Sequence, residues 1–243
     1  MEEQRSGSGR RRHAAYVIIA IATSILVASL PAYALLKNNQ YLYFNGHEYL
    51  LVNKSVQGNF TVSVWLYYER FNGTGVAVSE GLGENEHSVW YVGTGGEVPN
   101  VTSCGVFSDE LLPGNYTAGW RFASVPFIGT GRWLNIICAF NTTNLSIYVN
   151  GKLVNTVSTP YPVYGGRIIE IGKRTSTFYL NGNTPTFAYF NGYIANLQIY
   201  NRSLGGNVIA ALYGEGIGGK PLQGVAIYVP MDTPNYRMLT ENP

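Results

Sequence analysis

The stretch that decides the fold is LSIYVNGKLVNTV, residues 145–157, where an Asn-Gly pair separates two segments of alternating apolar and polar residues. Asn150 and Gly151 are the residue types that adopt positive φ in a two-residue type I′ turn. The turn predicts a hairpin in which Val149 lies opposite Lys152, Tyr148 opposite Leu153, Ile147 opposite Val154 and Leu145 opposite Thr156. The stretch therefore indicates an antiparallel sheet.

Composition extends this conclusion to the rest of the chain. The 243 residues are 46% hydrophobic and 12% charged, which suits one medium-sized domain with a substantial core. Abundant glycine and tyrosine, with repeated Asn, Thr and Val, favour strands and turns. Short strand-like segments recur, and only NVIAALYGEG, residues 207–216, resembles a helix, ending at Gly214 as its C-cap. The sequence predicts an all-β sandwich.

The N-terminus has the pattern of a membrane segment. Residues 1–13 include an Arg cluster, and Ala14 to Leu36 is an uncharged apolar stretch of 23 residues, long enough to span a bilayer as a helix. The positive flank predicts a single-pass membrane protein whose domain, residues 37–243, lies outside a cell or virion envelope.

Two alternatives for this segment involve cleavage. Ala32-Tyr33-Ala34 has the small-x-small form of a signal-peptidase site, which would give a secreted domain. A pilin-like leader cut near the Arg cluster would instead leave the apolar helix as a filament core, although His13 stands where a small residue is expected.

The charge of the body argues against nucleic acid as a partner. Beyond residue 34 there are twelve basic and twelve acidic residues, so the body is neutral. Nucleic-acid binding requires a clustered positive field.

Two further features suit an exported domain. The only cysteines, Cys104 and Cys138, are more typical of a disulfide than of a metal site, with two buried free thiols as the alternative. Asn-x-Ser/Thr sequons are more frequent than chance would give and predict a glycosylated surface, unless they only reflect the use of Asn and Thr in turns. The sequons begin at Asn53, Asn59, Asn72, Asn100, Asn115, Asn141, Asn144 and Asn201.

Four blocks in order carry a family resemblance. They are YLYFNGHEYLLV (41–52), FTVSVWLYYE (60–69), RWLNIICAFNTTNLSIYVNGKLV (132–154) and FNGYIANLQIYNRSL (190–204) followed by VIAALY. From Leu42 to Tyr213 the chain resembles the laminin-G-like and pentraxin-type domains of the concanavalin A-like lectin/glucanase superfamily. The resemblance implies a two-sheet antiparallel jelly roll with the Asn-Gly hairpin at its rim. It also implies binding or adhesion more often than catalysis.

The sequence departs from this group where calcium ligands are expected. Many relatives have Ile-Asp after the closing Gly, whereas here Ile194 is followed by Ala195. Asp109 and Asp232 are the only aspartates, so a calcium site would depend on glutamates and carbonyl groups. We expect no cofactor, with calcium as a weak alternative.

Catalytic patterns are weak. Glu84 and Glu86 would share a face if GENEHSVW, residues 83–90, were extended, as the carboxylates of jelly-roll glycosidases do, but Asn85 and His87 interrupt that pattern. A solvated turn between two strands explains the stretch more simply. With three scattered histidines, a catalytic triad is not expected, and we predict no enzymatic activity.

Sugar binding requires aromatic faces and side-chain amides, and the body contains many of both. Trp65 and Trp133 stand inside apolar strands, which predicts that they belong to the core. We predict ligand contact instead for Trp90, Tyr91, Trp120, Asn181 and Asn183.

The C-terminal stretch GVAIYVPMD, residues 224–232, resembles the opening strand that such domains usually have at their other end. It either folds back onto its own sheet or pairs with a neighbouring molecule. The sequence thus predicts a membrane-anchored binding module for glycans or a surface protein. The alternative is a self-packing coat component of a virion, pilus or cell envelope, a homo-oligomer.

Overall fold

The structure is a computed structural model, and it describes residues 40–71, 73–84, 88–95, 100–107, 119–159, 165–176, 186–232 and 238–240. These residues belong to one compact unit, Gln40–Pro243. The apolar segment 14–36 lies outside the described residues. Within them, no helix has the length and apolar character needed to cross a membrane.

Two antiparallel sheets form the body. Sheet one has the order β1 (Tyr41–Asn45), β14 (Asn191–Tyr200), β3 (Phe60–Tyr68), β8 (Trp133–Phe140), β9 (Asn144–Val149) and β10 (Lys152–Ser158), with β15 (Ile227–Val229) also paired to β14. Sheet two has the order β16 (Leu239–Thr240), β2 (Glu48–Val52), β11 (Ile168–Ile171), β4 (Gly75–Gly81), β5 (Ser88–Thr94), β6 (Val101–Phe107) and β7 (Trp120–Pro126). The predicted all-β, two-sheet jelly-roll sandwich is confirmed.

Two smaller elements pack outside the sandwich. A ribbon of β12 (Lys173–Ser176) and β13 (Thr186–Tyr189) lies against sheet two, and the helix α1 (Gly206–Gly214) lies against sheet one. The helix occurs where the sequence predicts it, but its C-cap is Glu215 and not Gly214. Gly216, with a φ of 73°, supplies the left-handed residue beyond the cap.

The main core fills the space between the sheets. On β3, Val62, Val64 and Leu66 point inward and are fully buried, and Ile136 of β8 and Val92 of β5 join the same cluster. Inward-facing apolar residues alternate with residues of the opposite face along each strand, as the period of two requires.

The hairpin forms at Asn150 and Gly151, whose φ values of 50° and 75° confirm the type I′ expectation. The turn is fixed to the neighbouring strand: the Asn150 N–H donates to the Asn135 carbonyl at 2.9 Å, and the Asn135 N–H donates to Asn150 Oδ1 at 3.0 Å. A Cβ on Gly151 would lie 2.9 Å from Cβ of Tyr213, so helix α1 packs closely over the turn.

The pairing beyond the turn differs from the prediction. Val149 lies opposite Lys152 and Tyr148 opposite Leu153 as expected, but a register shift between Leu153 and Asn155 places Val154 in a bulge. The prediction is therefore wrong by one residue for the two pairs farther from the turn. Ile147 lies opposite Asn155, and Leu145 lies opposite Val157.

The bulge links the two sheets at one edge. It brings Asn155 to the strand position where its Nδ2 donates to the Ser124 carbonyl of β7 at 3.0 Å. A regular ladder would have placed Val154 there, without a polar group to donate.

A second bulge lies in the middle of β14. The pairing with β3 runs from Ala195 opposite Trp65 to Gln198 opposite Ser63, so β14 contains one extra residue at this point. Asn196 has a φ of 44° there, and its Nδ2 donates to the Gly216 carbonyl at 2.7 Å. Because of the extra residue, the alternation of outward and inward side chains along β14 changes phase at Asn196.

The C-terminal strand folds back onto its own sheet. Ile227 and Val229 of β15 are buried, and they pair with Ile199 and Leu197 of β14. The first of the two options for this stretch is thus confirmed, and β15 continues the edge that β1 begins.

Cys104 of β6 and Cys138 of β8 form a disulfide across the core. Their Cα atoms are 5.7 Å apart, whereas packed sheets are typically about 10 Å apart. The bridge therefore joins the two sheets through the core, with Ala123 of β7 opposite Cys104.

Replacing both cysteines, Cys104→Ala with Cys138→Ala, should lower the free energy of unfolding by about 3 to 4 kcal/mol, because the bridge closes a loop with a sequence separation of 34. Urea denaturation measures the loss. Thiol labelling checks the bridge itself. Denatured wild-type protein that has not been reduced should contain no thiol that can be labelled, and two labelled thiols would show that the disulfide is absent.

Candidate functional site

Five aromatic side chains meet on the outer face of sheet one. They come from four neighbouring strands, and we call them the aromatic patch: Tyr41, Tyr43, Tyr67, Trp133 and Tyr193. Strand alternation explains their direction, since Leu42 and Phe44 of β1 and Leu66 and Tyr68 of β3 point into the core.

Tyr193 is the centre of the aromatic patch. Its ring centroid lies 5.1 Å from that of Tyr43, 5.3 Å from Tyr41, 5.6 Å from Tyr67 and 6.5 Å from Trp133. The rings are tilted or edge-on to one another, with interplanar angles from 48° to 87°. These are the favourable geometries for aromatic pairs, so the patch is a packed cluster with fixed ring orientations.

The aromatic patch is open to solvent. Tyr43 is 43% exposed, and the other four side chains are half-buried. The Tyr43 hydroxyl donates to Glu69 Oε2 at 2.8 Å, and this hydrogen bond raises the pKa of Tyr43, with a smaller contribution from burial. The patch therefore offers apolar ring surface together with phenol hydroxyl groups.

Helix α1 covers another part of this sheet face. Its Ile209 and Leu212 are buried against Ile137, Ala139 and Tyr200. At the boundary, Tyr213 of the helix stacks on Trp65 with centroids 5.6 Å apart and planes 19° apart. The outer face of sheet one thus includes a helix-covered part and an aromatic part without such a cover among the described residues.

The predicted ligand contacts need correction, beginning with Trp90. It is 1% exposed and lies between the sheets, where its ring packs on Phe60 at 5.4 Å and its Nε1 donates to Glu80. Its partners in the core leave no surface for a ligand.

Tyr91 and Trp120 lie on the outer face of sheet two but are covered as well. They are 1% and 4% exposed, with ring centroids 5.4 Å apart. The Arg174 guanidinium of the ribbon lies 4.5 Å from the Tyr91 ring centroid and 4.7 Å from that of Trp120. The ribbon uses these rings for cation–π packing, so they are not open for ligand contact.

The remaining tryptophans are also placed differently from the prediction. Trp65 and Trp133, expected in the core, are half-buried on the outer face of sheet one. The alternation is clear in the sequence, but both faces of these strands are apolar or aromatic, so periodicity alone could not show which face is inside. Asn181 and Asn183 lie outside the described residues.

Two buried carboxylates occur in sheet two, on opposite faces. Glu80 lies opposite Ile169, which points into the core, whereas Glu170 lies opposite Ser79 on the outer face and is 3.7 Å from Lys173 Nζ. Side chains on opposite faces of a sheet cannot flank one glycosidic bond.

The carboxylates considered from the sequence form no pair in the described chain either. Glu84 follows β4 in a turn and accepts a hydrogen bond from the Tyr49 hydroxyl at 3.1 Å, while Glu86 lies outside the described residues. Among the residues that are described, no group of three or more His, Cys, Asp or Glu side chains could hold a metal ion.

Burial raises the pKa of Glu80 to about 7, although hydrogen bonds from Trp90 and from the Val56 and Gly166 backbone favour the ionised form. In the unfolded chain this carboxyl titrates near 4.5. The folded protein therefore keeps a proton that the unfolded chain releases, and stability is lost as pH rises between these values.

Wild-type protein should accordingly lose up to about 3 kcal/mol of unfolding free energy between pH 4.5 and 7, and Glu80→Gln should flatten this decline. The burial of Glu170 raises its pKa too, so part of the slope should persist. Denaturant titrations at several pH values measure the effect, with the exposed Glu84→Gln as the control. Parallel profiles for Glu80→Gln and wild type would show that this assignment is wrong.

Six of the eight sequon asparagines are described. Asn53, Asn59, Asn100, Asn141 and Asn201 are exposed, and Asn144 is half-buried. Asn72 and Asn115 lie outside the described residues.

Comparison with known proteins agrees with the fold. The profile of the family described as the concanavalin A-like lectin/glucanases superfamily matches residues 36–210. A native heptameric SAP-like pentraxin from Limulus polyphemus is 13% identical, with a TM-score of 0.57 over 84% of this chain and 92% of the pentraxin. No curated protein matches the sequence.

Toxin domains are more distant. The binding domain of botulinum neurotoxin DC in complex with SialylT is 13% identical, with a TM-score of 0.47 over 72% of this chain and 45% of that chain. The binding domain of serotype D gives 13% identity and a TM-score of 0.49 over 72% and 42%. At such identities the likeness concerns the fold.

Proposed function

The chain belongs to the concanavalin A-like lectin/glucanases superfamily, and we propose that it is an outward-facing, membrane-anchored domain that binds neutral carbohydrate through the aromatic patch. The anchoring part of this proposal derives from the Arg cluster and the apolar segment 14–36. The carbohydrate part derives from the open ring cluster around Tyr193.

The chemistry of the aromatic patch suits a sugar. Ring faces accept the apolar C–H faces of a pyranose, and four tyrosine hydroxyls can donate to or accept from its hydroxyl groups. The rings stand on four paired strands, so their positions are fixed before a ligand arrives, which limits the entropy lost on binding.

The size and charge of the aromatic patch favour a glycan over a protein. A stable protein interface uses about 20 to 30 residues on each side, whereas the patch consists of five. Beside the rings, the Glu69 carboxylate accepts from the Tyr43 hydroxyl and would repel a sialic acid or a sulfate group, and it offsets the positive charge of the nearby Arg70. A neutral oligosaccharide is therefore the partner that fits.

Replacing Tyr43 by alanine should weaken oligosaccharide binding at least fivefold, because about 1 kcal/mol or more is lost with an aromatic contact. The matched control is Tyr228→Ala on β15, since Tyr228 is 37% exposed and its strand also pairs with β14. The full-length chain is tested on an array of neutral and sialylated oligosaccharides, followed by titration calorimetry with the best neutral glycan.

Binding that falls equally in both variants, or only in Tyr228→Ala, would contradict the assignment. Absence of binding to every neutral glycan, together with self-association of the full-length chain, would favour the packing function of a coat component instead.

A further inference from the structure

Three sequons lie beside the ends of three neighbouring strands, all at the same end of sheet one. Asn59 precedes β3, Asn141 follows β8 and Asn201 follows β14. Phe60 lies opposite Phe140, and Thr61 lies opposite Tyr200, so the first residues of β3 meet the last residues of both neighbours. We call this the sequon end.

Asn141 has a side chain arranged for modification. Its Oδ1 accepts hydrogen bonds from the Thr143 hydroxyl at 3.0 Å, from the Thr143 N–H at 3.2 Å and from the Asn144 N–H at 2.7 Å. These bonds engage only the amide oxygen, and no described residue accepts from Nδ2. Asn141 is an exposed residue, and its amide group is held beside the sequon hydroxyl of Thr143.

Asn144 differs from it in each respect. It is half-buried, it pairs with Ser158 as the first residue of β9, and its Nδ2 donates to the Thr143 hydroxyl at 3.1 Å. Modification there would break this bond and crowd the strand pair, so the two overlapping sequons are not equivalent.

The sequon end is far from the aromatic patch. Tyr67 lies seven positions after Phe60 in β3, which corresponds to about 23 Å along an extended strand. Tyr67 lies opposite Trp133 and Tyr193, near the beginning of β8 and of β14. Sugars on Asn59, Asn141 and Asn201 therefore extend from the end opposite to the patch.

We propose that N-linked glycans on Asn141 and on its neighbours Asn59 and Asn201 cover the sequon end, while Asn144 stays unmodified and the aromatic patch stays bare. The glycosyl donor is a lipid-linked sugar phosphate. The asparagine Nδ2 bonds to the anomeric carbon, the carbon–oxygen bond to the phosphate breaks with its electron pair on the phosphate, and the nitrogen releases one proton to a base.

This arrangement divides the domain into two surfaces. The glycosylated end would be shielded from protein contacts, whereas the rings around Tyr193 would stay available to a partner. The inference about glycans requires export of the domain, but it does not require that the aromatic patch binds sugar.

The test uses the full-length protein isolated from cells that N-glycosylate exported proteins. Glycopeptide mass spectrometry with electron-transfer fragmentation should find a glycan on each of Asn59, Asn141 and Asn201, with Asn144 bare. Thr143→Ala should lower the intact mass by one glycan, whereas Ser146→Ala, which removes only the Asn144 sequon, should not. Thr61 is left intact because its buried hydroxyl bonds to Arg202 and Leu204.

A bare Asn59, Asn141 or Asn201, or a glycan on Asn144, would overturn the assignment. A separate measurement tests whether the aromatic patch is free of glycans. Trp133 should be oxidised at the same rate in wild-type protein and in a variant with Asn59, Asn141 and Asn201 all replaced by Gln. Faster oxidation in that variant would show that glycans cover the patch.

Discussion

The bulge at Asn196 is the constraint on which the outer face of sheet one depends. Before it, Tyr193 points outward and Ile194 inward; after it, Leu197 and Ile199 point inward and Tyr200 outward. Without the extra residue, a strict period of two would turn Leu197 and Ile199 to the outer face and Tyr200 into the core. The left-handed backbone suits asparagine, and the side chain of Asn196 holds the segment after the helix in place.

The two halves of β14 consequently have different partners. The first half pairs with β1 and contributes Tyr193 to the aromatic patch, and the second pairs with β15 and contributes Tyr200 to the cluster beneath α1. A helix of nine residues is about 14 Å long and cannot cover the whole sheet. The rings it leaves open are stabilised by one another, which explains how a stable domain can keep them exposed.

Local signals in the sequence predicted much of the fold. The Asn-Gly turn, the strand periods and the paired cysteines led to the hairpin, the sandwich and the bridge between Cys104 and Cys138, because each depends on adjacent residues or on a single pair. The tryptophans were assigned wrongly because Trp90, predicted to contact a ligand, and Trp133, predicted in the core, both stand in strands with two apolar faces. Only long-range packing decides which face is inside. The break in YIANLQIY at Asn196 was the available signal for the bulge, and the alternation of Tyr with Leu and Phe in YLYFN was the signal for the patch.

Hydroxyl-radical footprinting of the full-length chain, with and without a neutral oligosaccharide that it binds, tests the central claim most directly. The tryptophans report on it because Trp133 belongs to the aromatic patch, whereas Trp90 and Trp120 are covered by other residues. Trp133 should be oxidised readily and should be protected by the sugar, whereas Trp90 and Trp120 should react slowly in either condition. Rapid oxidation of Trp90 or Trp120, or protection by sugar at these residues and not at Trp133, would contradict the account.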